Sequence, residues 1–150
     1  MRIILQVLFA GAATLGFSII FNIHGKKLIP AALGGALGWL LFLIVMRLTG
    51  SKIISSLVAS AIIGFYAEGA AKLFREPASL FILPAIIPLV PGSGMYYTME
   101  ESIHGEVMAT LMLGMETVYI AGAIAAGIAV AASIRKIFFH FGSRPGRIRQ

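Results

Sequence analysis

The chain has 150 residues, of which 59% are hydrophobic and 12% charged, with a mean hydropathy of +0.94. That balance excludes a soluble domain, and no block of the chain is polar enough to form a separate one. A formal net charge of +6 would suggest nucleic acid in a soluble protein, but here the basic residues follow a membrane topology and no nucleic-acid partner is expected.

A bilayer crossing needs about 20 apolar residues. The first such segment is Ile3 to Ile23. Met1-Arg2 followed by apolar residues and Ala10-Gly11-Ala12 imitates a secretory signal, but the run continues to Ile23, longer than a signal core. Ala12 and Gly16, one helical turn apart, suit close helix packing. Asn22 either lines a polar site or satisfies the helix C-terminus, with Gly25 as a stop. The second segment, Leu28 to Met46, carries the small-residue pairs Ala31/Gly35 and Gly34/Gly38 on adjoining faces. The third, Ile53 to Ala71, places Glu68 four residues before Lys72, the favourable order for an interfacial ion pair; a polar lining role is its alternative. The last, Val107 to Ile134, repeats the packing device with Ala123, Gly127 and Ala131 and with Gly122 and Ala126.

Between the third and last segments lies Leu80 to Tyr97, apolar enough to enter a bilayer but interrupted by Pro84, Pro88, Pro91, Gly92 and Gly94. Each proline removes a donor and releases the carbonyl four residues earlier, those of Leu80, Pro84 and Ile87. Irregular backbone at membrane depth survives only where protein buries it or water reaches it, and in transporters such breaks form substrate sites. If a helix resumes at Met95, its positive end and the donors of Gly92 to Gly94 favour an anion there. Ser93 caps that helix or bonds substrate, and Tyr96 and Tyr97 add rings with polar tips. The plainer alternatives are a fold-shaping kink or a tight loop between short helices.

Glu116 is the one acid well inside a strong span, about 14 Å along the helix from Val107. An acid at that depth faces a cavity or a partner. It is a candidate coupling residue; the alternative is a structural hydrogen bond to Tyr119, three residues on. There are no cysteines, and His24, His104 and His140 are scattered, so neither a metal site nor a cofactor is expected. No phosphate loop and no paired-acid or Ser/His arrangement is present, and the chain does not read as an enzyme.

With five spans and an outside N-terminus, Lys26, Lys27, Lys72, Arg75, Arg135, Lys136, Arg144, Arg147 and Arg149 fall inside and only Arg2, Arg47 and Lys52 outside, with Glu100, Glu101 and Glu106 on the outer face. If the broken segment re-enters, four spans divide the basic residues eight to four. Five is preferred. The expected fold is therefore an all-α integral membrane protein, a helical bundle of about five spans with one Pro/Gly-broken segment. A single transmembrane domain covers 1–150, and 135–150 forms a basic cytoplasmic tail.

Gly16-Phe17, Phe21-Asn22, Gly34-Gly35, Gly38-Trp39, Arg75-Glu76-Pro77 and above all Pro84-Ala85-Ile86-Ile87-Pro88-Leu89-Val90-Pro91-Gly92 leading to Tyr96 resemble the threonine/serine exporter family. The similarity is to its YjjB-like small membrane subunit, which corresponds to the C-terminal half of single-chain members. The resemblance implies an inner-membrane exporter of threonine, serine or dicarboxylates such as succinate, working beside a larger subunit. A homo-oligomer stays open. The candidate substrate site is Pro84, Pro88, Pro91, Gly92, Ser93, Gly94 and Tyr96, with Glu116, Tyr119, Asn22 and Glu68 as coupling or polar-lining candidates. The competing function is a non-transporting assembly or stabilising subunit.

Overall fold

The computed structural model describes residues 2–140, with side chains over 3–135. Among the described residues every regular element is helical: α1 (Arg2–Ile20), α2 (Leu28–Thr49), α3 (Lys52–Phe74), α4 (Ser79–Ile86), α5 (Gly92–His104) and α6 (Val107–His140). Four stretches, Ile3–Ile20, Gly25–Thr49, Lys52–Phe74 and Val107–Arg135, are long and apolar enough to cross a membrane, and α4 with α5 forms a bent pair that qualifies together. The sharp turn between α2 and α3 has local causes. Gly50 adopts φ 66° and donates its N–H to the Met46 carbonyl, and the Ser51 hydroxyl accepts from the Ile54 N–H. Residues 135–140 of the expected basic tail continue α6; 141–150 lie outside the described residues.

The interior sets small and hydroxylated residues among a few large ones such as Ile63, Phe81 and Leu89, while most large apolar side chains face outward. Thr14, Ser18, Ser55, Ser56 and Ser60 are at most 1% exposed, whereas Leu48 is 81% and Ile103 79% exposed. A water-soluble core would invert that distribution; a bundle in lipid requires it, because lipid solvates Leu and Ile while small residues let backbones meet. Most buried hydroxyls are satisfied within their own helix: Thr14 donates to the Ala10 carbonyl at 2.8 Å, Ser18 to Thr14 at 2.7 Å and Ser55 to Ser51 at 2.7 Å. Gly35 receives Thr14, Gly38 receives Ile63, and Gly127 lies against Ser60 and Leu57. Two expected packing pairs face outward. Gly16 and Gly122 have nothing within 4 Å of a Cβ position, and Ala12 and Ala126 are exposed. The row Ala10-Thr14-Ser18 takes the α1 interface and Ala123-Gly127-Ala131 the α6 interface, so a row offset by one or two residues points away from its neighbour.

The α3–α6 contacts run in the same order along both helices. Lys52 lies beside Glu116, Ser60 beside Gly127, Gly64 beside Ala131 and Glu68 beside Arg135. The two helices are therefore parallel, and the chain between them has to return the length of the bundle. The bent pair makes that return. Phe81 packs with Ala31, Ala67 and Ala71, Leu89 with Ala59, Ile63 and Ile120, then Gly94 meets Thr117 and Thr98 meets Gly114. The segment thus traverses the bundle with a bend of 47°, a fifth pass alongside the four long stretches.

Candidate functional site

The break consists of Pro84 within α4, a 3-10 turn over Ile87–Leu89, and the start of α5 at Gly92. Two carbonyls released by proline are recovered by shorter-range bonds: Ile87 N–H donates to Pro84 and Val90 N–H to Ile87 at 3.1 Å. Tightening into 3-10 geometry thus replaces two of the open carbonyls expected from the proline spacing. The α5 side differs. Gly92 N–H donates to Val90 at 2.8 Å and Met95 N–H to Pro91 at 3.1 Å, while the Ser93 and Gly94 amides meet no acceptor among the described residues. Pro91, at the N-cap, supplies no side-chain cap, so the positive end of α5 stays open.

Ser93 and Gly94 border a cavity of about 360 Å³. Its walls come from α2 through Trp39, Phe42 and Met46, from α3 through Lys52 and Ser56, from the break and α5 through Pro88, Pro91, Ser93, Gly94 and Tyr97, and from α6 through Glu116 and Thr117. Lys52 Nζ lies 3.0 Å from Glu116 Oε1, with side-chain exposures of 54% and 40%. Trp39 and Phe42 stack with ring centroids 5.1 Å apart. Ser56 is 1% exposed, and its hydroxyl has no hydrogen-bond partner among the described residues. A cavity of this size with a few convergent polar groups suits a small molecule, and its donors suit an anionic group.

Of the residues singled out from sequence, Pro88, Pro91, Ser93, Gly94 and Glu116 meet on this wall. Pro84 is fully buried, and Gly92 is absent from the lining. Tyr96 instead borders a separate groove with Met99, Glu100 and Ile103, and its neighbour Tyr97 takes the cavity side because successive helical residues diverge by about 100°. Tyr119 is 52% exposed and makes no hydrogen bond to Glu116, which pairs with Lys52 across the helix interface. Asn22, at φ 62°, follows α1, and its N–H donates to the Ile19 carbonyl at 3.0 Å, an end-of-helix role away from the cavity. Glu68 meets Arg135 at 2.8 Å near the opposite end of α3. Lys52, Ser56, Thr117, Trp39 and Phe42 are among the lining residues that sequence reasoning missed. One signal was available: Lys52, Ser56, Ser60, Gly64 and Glu68 recur every four residues as a polar and small row along one face of α3.

The architecture is that of a multi-pass membrane protein with a ligand-sized cavity at a broken helix. Residues 6–134 match the family described as threonine/serine exporter, ThrE, and the chain belongs to that family. It is also similar to an uncharacterized protein of Haemophilus influenzae, 25% identical over 138 residues that cover 87% of this chain and 46% of that protein. The chain thus spans just under half the length of that relative. No solved structure matches.

Proposed function

We propose that this chain is the membrane subunit of a secondary exporter for small carboxylates, threonine and serine or dicarboxylates such as succinate, with the substrate carboxylate held at the break. The observation that carries this reading is that Ser93 and Gly94, whose amides at the α5 N-terminus are unoccupied, line the same cavity as Lys52. Both the amides and the Lys52 ammonium favour an anion. We assign it to the cytoplasmic membrane with the Arg135 end of α6 inside, driven by an ion or proton gradient. We further propose that it works beside a larger membrane subunit, as the resemblance to the family's small subunit implies.

The test is efflux of threonine, serine and succinate from preloaded cells expressing the chain with its partner. Lys52→Gln and Gly94→Val proteins that insert normally should lose export. Normal export by both would remove the site from this cavity. Loss of export only in those variants that also lose the complex would instead favour an assembly role.

A further inference from the structure

We propose that the groove between the start of α2 and the end of α3 binds an anionic phospholipid, one acyl chain lying in the groove and the phosphate meeting Lys26 and Arg75. The site lies at the other end of α3 from Lys52 and shares no residue with the cavity, so it stands apart from the transport reading. The groove holds about 400 Å³, with Pro30 of α2 facing Phe65, Tyr66, Gly69, Leu73 and Phe74 of α3. Gly69 has nothing within 4 Å of a Cβ position, so no neighbouring helix closes over it. The polar tip on the wall is already used, because the Tyr66 hydroxyl donates to the Pro30 carbonyl at 2.8 Å. What remains is hydrocarbon. An acyl chain covers such a surface without cost, whereas a polar small molecule would bury its own groups unpaired.

Charge sets the sign of the headgroup. The Lys27–Glu76 ion pair ties the turn before α2 to the chain just after α3, and Lys26 and Arg75 are the immediate neighbours of that pair. Arg75 directly follows Phe74 on the groove wall, and Lys26 lies four residues before Pro30. The two acids toward this end already have basic partners, Glu76 in Lys27 and Glu68 in Arg135. Lys26 and Arg75 are exposed and make no ion pair among the described residues. They stand at the ends of the apolar stretches, the depth at which lipid phosphates lie, and basic pockets between spans at that depth suit anionic headgroups. A phosphodiester with no cation of its own thus finds two unneutralised charges above an apolar slot. A zwitterionic headgroup brings its ammonium toward them, a like-charge contact.

The test offers the purified full chain, delipidated in mild detergent, equal amounts of phosphatidylglycerol and phosphatidylcholine with the same acyl chains, and counts retained lipid by native mass spectrometry. The unmodified protein should prefer phosphatidylglycerol about twentyfold at low salt. Lys26→Gln and Arg75→Gln should each lower that preference about fivefold, while Arg47→Gln, at the other end of the bundle, leaves it unchanged. Gly69→Leu meets no protein atom and fills the groove, so it should lose the retained lipid while staying folded. Equal retention of the two lipids by the unmodified protein, or retention of neither, overturns the proposal whatever the variants do, and leaves the groove to ordinary lipid or a partner helix. A preference that survives the combined Lys26→Gln and Arg75→Gln substitutions, or that falls as far in Arg47→Gln, overturns it too. Unchanged retention by Gly69→Leu would remove the acyl chain from this groove and overturn it as well.

Discussion

At the residue scale, two glycines that look interchangeable in the broken segment have opposite surroundings. A Cβ on Gly94 would run into Thr117 Oγ1, which is itself tied to the Leu113 carbonyl at 2.7 Å and cannot swing away without losing that bond. Gly92 has nothing within 4 Å of a Cβ position and no left-handed backbone. Gly94→Ala should therefore destabilise by about 1–3 kcal/mol, and Gly92→Ala should stay within about 0.5 kcal/mol of the parent, in thermal unfolding in detergent. Similar shifts for both would contradict the close α5–α6 approach. Ser56→Ala should leave the unliganded protein as stable or more so, since an unpaired buried hydroxyl costs about 1–3 kcal/mol. A Tm lowered by several degrees would mean the hydroxyl has a protein partner. Sequence spacing showed that the break needed shelter, but which residue of each neighbouring pair faces the cavity depends on helix rotation. That is why Tyr97 lines the wall and Tyr96 does not.

At the element scale, helix existence was legible because apolar runs of sufficient length are local properties. Leu28 to Met46 foreshadowed α2, and Ile53 to Ala71 foreshadowed α3, within a few residues of their observed ends. Which small residues make contact was not legible, since Gly122 and Gly127 look alike until the partner helix is in place. Gly127 faces Ser60 and lies where a Cβ would sit 2.5 Å from the Leu57 carbonyl oxygen, a backbone atom that cannot yield alone. Gly127→Val should cost about 1–3 kcal/mol or more and separate α3 from α6, while Gly122→Val, facing outward, should be close to neutral on thermal unfolding of the isolated chain. A reversed order would mean α6 is rotated from the packing described. Because that interface also sets Lys52 beside Glu116, Gly127→Val should weaken ligand binding without touching the cavity lining.

At the scale of the whole molecule, hydropathy left four and five crossings both open because each segment is judged alone, and the broken one is judged poorly. The relative direction of α3 and α6 is a property of the pair. Once Lys52 lies beside Glu116 and Glu68 beside Arg135, the intervening chain has to cross. The charges agree with the orientation proposed above: Lys26, Lys27, Arg75 and Arg135 gather at one end, Arg47, Lys52 and Glu106 toward the other. Since the chain has no cysteine, single-cysteine labelling reads the topology directly. Cysteines replacing Thr49 and Glu106 should react with an impermeant thiol reagent added outside intact cells. Those replacing Lys26 and Ser133 should react only after permeabilisation. A re-entrant segment would move the start of α6 to the other side, so Glu106→Cys would then follow Lys26→Cys while Ser133→Cys followed Thr49→Cys. That exchange would undo the parallel α3–α6 pairing and, with it, the juxtaposition of charges on which the cavity depends.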